Sequence, residues 1–176
     1  MPNPGRPPLS ERHFPDTVRE ALHRAGWHPG RRDIRQAEIW ADTLHGYVSP
    51  AGHRHTILPA AVEAWAAFGG LRVAAPGPGR EIAPTELLID PLCGLHLART
   101  FADLGRALGT DICPLGEEAP GPDGPGGGRA ALAMDSDGRV YSLDHTGDWY
   151  LGRDVEEALT RLLTGCCPVR LSPVGG

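Results

Sequence analysis

The stretch from residue 129 to residue 165 constrains the fold most, because several local signals in it agree on one tertiary unit. Ala130-Ala131-Leu132-Ala133-Met134 reads as a buried strand, Asp137-Gly138 is a two-residue hairpin signal, and Arg139-Val140-Tyr141-Ser142-Leu143 returns as the partner strand. Asp148-Trp149-Tyr150-Leu151-Gly152 follows as a short aromatic strand or turn. Asp154 then opens a helix with Glu157 three residues on, the spacing of a capping box. Val155, Ala158, Leu159 and Leu162 recur at i, i+3, i+4 and i+7, so one stripe of that helix needs a sheet to lie against, and the hairpin supplies it.

Three helices are expected before the first strand. Val18, Ala21, Leu22 and Ala25 form the stripe of the first, which Gly26 stops, and Trp27 is expected to fold back over it. Asp33 with Gln36 marks the second start, with Ala37, Trp40, Ala41 and Leu44 on its apolar side. The third begins near Ile57 or Pro59, sets Leu58, Ala61, Val62, Trp65 and Phe68 on one side, and ends at Gly69-Gly70. Short strands are expected at 71–75 and 86–89, then a helix carrying Leu97, Phe101, Leu104 and Leu108, then a brief strand at 111–115. Residues 117–128 read as a Gly/Pro loop too poor in apolar side chains to join the core. The order does not alternate as a doubly wound fold would, so the fold class is α+β, with helices packed on a mainly antiparallel (mixed) β-sheet. A single domain is expected over 14–165, between a disordered segment at 1–13 and a loose tail at 166–176.

Composition narrows the chemistry. All 17 basic residues are arginine, so a Schiff base, a Walker-type phosphate lysine and a lysine general base are all excluded. A net charge of -5 disfavours a non-specific nucleic-acid binder and favours a neutral ligand or a basic partner. Cys93, Cys113, Cys166 and Cys167 lack C-x-x-C spacing and read as reduced thiols, with no cofactor implied. No apolar run reaches the roughly 18 residues of a membrane span, so a cytoplasmic protein with no membrane partner is expected.

Candidate sites have plainer explanations. His53 and His55, with His45 nearby, could hold a metal, but no acid or thiol lies beside them at ligand spacing, and two solvated histidines in a Gly-flanked turn suffice. Asp135-x-Asp137-Gly138 resembles the start of a calcium loop but lacks the later glutamate, and hairpin chemistry explains every residue. Residues 121–128 have neither the lysine nor the following helix of a phosphate cradle. Ser136 has no G-x-S-x-G elbow, and Trp27, Trp40, Trp65, Phe68 and Trp149 read as core. No catalytic set emerges, so no enzymatic activity is expected.

Several phrases in order resemble the third subgroup of the SUKH superfamily, the SUKH-3 bacterial immunity proteins. They are Ala25-Gly26-Trp27-His28-Pro29-Gly30-Arg31, Phe68-Gly69-Gly70-Leu71, Ile89-Asp90-Pro91, Pro114-Leu115-Gly116-Glu117, Asp135-Ser136-Asp137-Gly138-Arg139-Val140-Tyr141, and Tyr150-Leu151-Gly152 leading to Glu157-Ala158-Leu159. In order they cover roughly residues 14–165. The resemblance implies an α+β domain that binds and neutralises a cognate polymorphic toxin, of nuclease or deaminase type, by occluding its active site. Such toxins are commonly basic, so Glu117, Glu118, Asp123, Asp144, Asp148 and Tyr150, expected near sheet ends and loops, are the candidate toxin-binding residues. Two other readings stay open: a non-catalytic cytosolic scaffold or regulatory module with a non-toxin partner, and a hydrolase or metal-dependent enzyme using His53, His55 and an acid.

Overall fold

A computed structural model describes residues 14–120 and 128–172. The N-terminal segment expected to be disordered, most of the Gly/Pro loop with Asp123, and residues 173–176 lie outside the described residues.

Helices α1 (Asp16–Arg24), α2 (Ile34–Gly46) and α3 (Pro59–Phe68) come first, as the stripes predict. The Asp33 carboxylate accepts the Gln36 N–H at 3.1 Å to start α2. Trp27 is buried and stacks on Phe68 with ring centroids 6.0 Å apart, so it covers the end of α1 and ties it to α3. Helix α3 departs from the expected one-sided stripe. Ala64, Ala66 and Ala67 are buried along with Ala61, Trp65 and Phe68, because α3 lies between α2 and the sheet and small side chains let both approach.

Among the described residues seven strands form one antiparallel meander in chain order: β1 (Arg72–Val73), β2 (Thr85–Leu88), β3 (Ile112–Pro120), β4 (Ala130–Asp135), β5 (Val140–Asp144), β6 (Gly147–Gly152) and β7 (Val169–Arg170). Between β2 and β3 a 3-10 segment, Pro91–Leu97, leads into α4 (Ala98–Leu108); α5 (Val155–Thr164) separates β6 from β7. Every pairing among the described residues is antiparallel.

Three features of the strands differ from the sequence expectation. Strand β3 continues through Glu117 and Glu118, which pair with Leu88 and Leu87 on one side and Ala131 and Ala130 on the other, so the loop begins later than the composition suggests. Two flanking strands hold what the side chains alone do not. Past Gly165, in place of a wholly loose tail, Val169 and Arg170 pair with Tyr150 and Trp149. The β4–β5 hairpin turns through three residues and not two. Asp135 and Arg139 close it through the Asp135 N–H on the Arg139 carbonyl, and Gly138 N–H returns to the Asp135 carbonyl. Only Gly138 has a positive φ there, at 86°, which fits a type I turn followed by a left-handed glycine.

The pleat sends alternate side chains to two cores. On one face Leu87, Cys113, Leu115, Leu132, Met134, Val140 and Leu151 join the buried sides of α1, α3 and α5. On the other, Ile112, Ala133, Tyr141 and Leu143 meet Phe101 and Leu104 of α4. A bulge in β3 between Pro114 and Gly116 changes the alternation, so Leu115 and Gly116 both fall on the first face, Glu117 on the α4 face with Ala131, and Glu118 on the first face with Leu87 and Ala130. Glycine is required at 116, since a Cβ there would lie 2.1 Å from the Leu88 carbonyl oxygen.

Candidate functional site

Helix α5 covers only part of the first face. Beyond its C-terminal end the sheet is left open as a cleft of about 410 Å³. The segment before β2 builds one wall, because Arg80 N–H donates to the Thr164 carbonyl and Ile82 N–H to the Gly165 carbonyl, each at 2.9 Å. Leu162 and Arg161 of α5 form the second wall, and Trp149 and Leu151 of β6 the third.

Glu118 lies at the base. Thr85 Oγ1 donates to its Oε2 at 2.9 Å and Ser142 Oγ to its Oε1 at 2.5 Å, fixing the carboxyl between β2 and β5. Burial pushes the Glu118 carboxyl above its ordinary pKa; the two hydroxyls oppose this, and the nearby Asp144 charge adds to it. Asp144 lines the same cleft and accepts the Thr146 N–H at 2.7 Å and the Gly147 N–H at 3.1 Å. Burial raises the Asp144 pKa, but those donors and the Thr146 hydroxyl outweigh it and hold it below the usual range. Arg161 donates through Nη1 to the Cys167 carbonyl at 2.6 Å, whereas its buried Nε has no hydrogen-bond partner. Trp149 carries the Arg170 guanidinium 5.6 Å from its ring centre.

The other candidate residues are spread more widely. Glu117 faces the α4 side and pairs with Arg129. Asp148 pairs across from Leu143 on that same side, where burial and the Asp144 charge raise its carboxyl pKa. Tyr150 packs edge-on against Tyr141 at 5.9 Å. The structure thus brings Glu118 and Asp144 into one cleft and sets Glu117, Asp148 and Tyr150 on the opposite face. Sequence reasoning did not single out Thr85, Ser142 or Arg161, whose convergence depends on strand register, and it placed Trp149 in the core although the residue is only partly buried.

A larger recess of about 680 Å³ lies on the α4 side, lined by Arg54, His55, Phe101, Arg106 and Arg139 among others. His55 is buried and not solvated as the turn composition suggests: its Nε2 lies 2.6 Å from the Leu95 carbonyl, so Nε2 carries the proton and Nδ1 has no partner. Burial lowers the His55 pKa, with the Leu95 carbonyl opposing. His45 is exposed and His53 half-buried. Among the described residues no group of three or more His, Cys, Asp or Glu side chains could hold a metal ion. No helix of the described residues is long and apolar enough to cross a membrane. The four cysteines are free thiols, and burial pushes Cys93 up to about 11 and Cys113 to about 12.

An apolar-walled recess with a fixed acid at its base, on a rigid antiparallel sheet, is equipment suited to recognising a partner group. The sequence model of the SUKH-3 immunity protein family matches residues 14–165, and the chain belongs to that family, whose general role is toxin immunity. No curated protein and no solved structure matches the chain.

Proposed function

We propose that this chain binds a cognate toxin of the nuclease or deaminase type and neutralises it by covering the toxin's active site or substrate path. The observation that carries this reading is the family match across 14–165, which takes in the whole helix and sheet framework apart from β7. The net charge of -5 supports it physically, since a nucleic-acid-directed toxin presents a basic substrate path and an acidic binder gains association rate and discrimination from that complementarity. Glu118 and Asp144 are the proposed centre of the contact surface; Glu117, Asp148 and Tyr150 would contribute only if the toxin wraps the sheet edge.

Co-expression with the toxin-like product of an adjoining reading frame tests this. Growth rescue and co-purification of the pair are expected, with binding that weakens as salt rises. Failure of both with every neighbouring toxin overturns the reading.

A further inference from the structure

The cleft above Glu118 combines features that narrow its occupant. Its walls are apolar through Ile82, Leu151 and Leu162, and Ile82 is 43% exposed, a large side chain left partly uncovered at the rim. Its base is a carboxyl held by the two hydroxyls of Thr85 and Ser142. No arginine pairs with Glu118 among the described residues, whereas Glu117 beside it has Arg129. Arg161 is directed elsewhere, to the Cys167 carbonyl. A group that fills this space needs an apolar stem to cover the walls and a cationic head to meet the acid, which describes a long basic side chain.

We propose that the cleft receives one arginine side chain of the partner toxin, its stem against Trp149, Leu151 and Leu162 and its guanidinium on the Glu118 carboxylate. The occupant deepens the immunity reading and rests on it for the partner's identity, but the chemistry of the recess stands on its own residues. Arginine fits better than a small cation because the space is about 410 Å³ and its walls are apolar. The planar guanidinium can also take both carboxylate oxygens while the Thr85 and Ser142 hydroxyls stay in place. Asp144 adds negative potential to the cleft lining, and Arg161 of α5 favours entry along the β6 side.

The probe is N-acetyl-arginine methylamide, titrated into the full chain while the Trp149 indole and Ser142 amide signals are followed by NMR. Saturable shifts at both are expected, reduced at least tenfold with the neutral citrulline analogue and lost in Glu118→Gln. Equal responses to the two analogues, or still signals, overturn the proposal. Thermal melting of Glu118→Gln shows that the variant is folded. The toxin complex separates the two levels of inference. If the wild-type chain binds a toxin and Glu118→Gln binds it within twofold as tightly, the arginine site is wrong and the immunity reading stands. If the arginine probe seats on Glu118 and no toxin binds, the immunity reading fails and the recess retains its assigned chemistry.

Discussion

Asp135 is fully buried at the start of the β4–β5 turn, and its replacement is the sharpest test of how the scaffold is held. Its Oδ1 accepts the Asp137 N–H at 2.9 Å and the Arg139 N–H at 3.0 Å; its Oδ2 accepts Arg139 Nε at 2.7 Å and the Tyr141 hydroxyl at 2.9 Å. Asp135→Ala strands all of these donors at once. The Tyr141 hydroxyl is buried and loses its acceptor, at about 1–3 kcal/mol. The turn N–H groups lie near solvent and contribute roughly 0.5 kcal/mol each, and the Arg139 pair, 43% exposed on its basic side, adds little. The sum is about 3 kcal/mol, which lowers the melting temperature by about 6–12 °C for a domain of this size. Urea unfolding followed by circular dichroism measures it. Asp135→Asn keeps an acceptor for the turn and is expected to cost about 1 kcal/mol. Asp135→Ala combined with Tyr141→Phe costs less than the sum of the two, because the orphaned hydroxyl is gone. A midpoint for Asp135→Ala indistinguishable from wild type refutes the assignment of this carboxylate as the hairpin's organising acceptor.

Other perturbations probe other parts of the scaffold. Gly116→Ala forces β2 away from the bulge and is expected to destabilise by about 2–3 kcal/mol in the same urea assay; an unchanged midpoint contradicts the close approach. Trp65→Phe leaves the Pro114 carbonyl without its buried indole donor at 3.1 Å and trims core volume, so a loss of about 2 kcal/mol is expected, and a loss below about 0.5 kcal/mol contradicts it. Glu118 has its folded pKa above the unfolded value, so the native state holds its proton longer than the unfolded state does, and ionisation destabilises the fold as pH rises past about 4.3, the ordinary glutamate value. Glu118→Gln therefore gains stability relative to wild type between pH 4 and pH 8, and a constant gap across that range contradicts the burial argument.

Local chemistry made some elements legible and tertiary contacts hid others. Asp33 with Gln36 and Asp154 with Glu157 announce α2 and α5, and both carboxylates accept the N–H three residues on. Glu157 returns to the Arg153 N–H, one residue ahead of the usual capping-box partner. The last four residues of β3 have no apolar alternation to signal a strand, because its hydrogen bonds go to neighbours far along the chain. A single bulge decides which of two adjacent glutamates enters the cleft, and an uninterrupted strand would have sent Glu117 there in place of Glu118. The acidic character of the surface was therefore readable, whereas its division between two sheet faces was not. Likewise Asp135 looked like turn chemistry, and only the paired strands reveal that it also anchors Tyr141.

The most direct test of the account is to titrate the purified chain into its toxin while the toxin's own turnover is measured. Turnover falling to zero at one equivalent, with substrate and this chain competing for the toxin, is the predicted result. A toxin that binds the chain tightly and keeps its full rate contradicts occlusion as the mechanism.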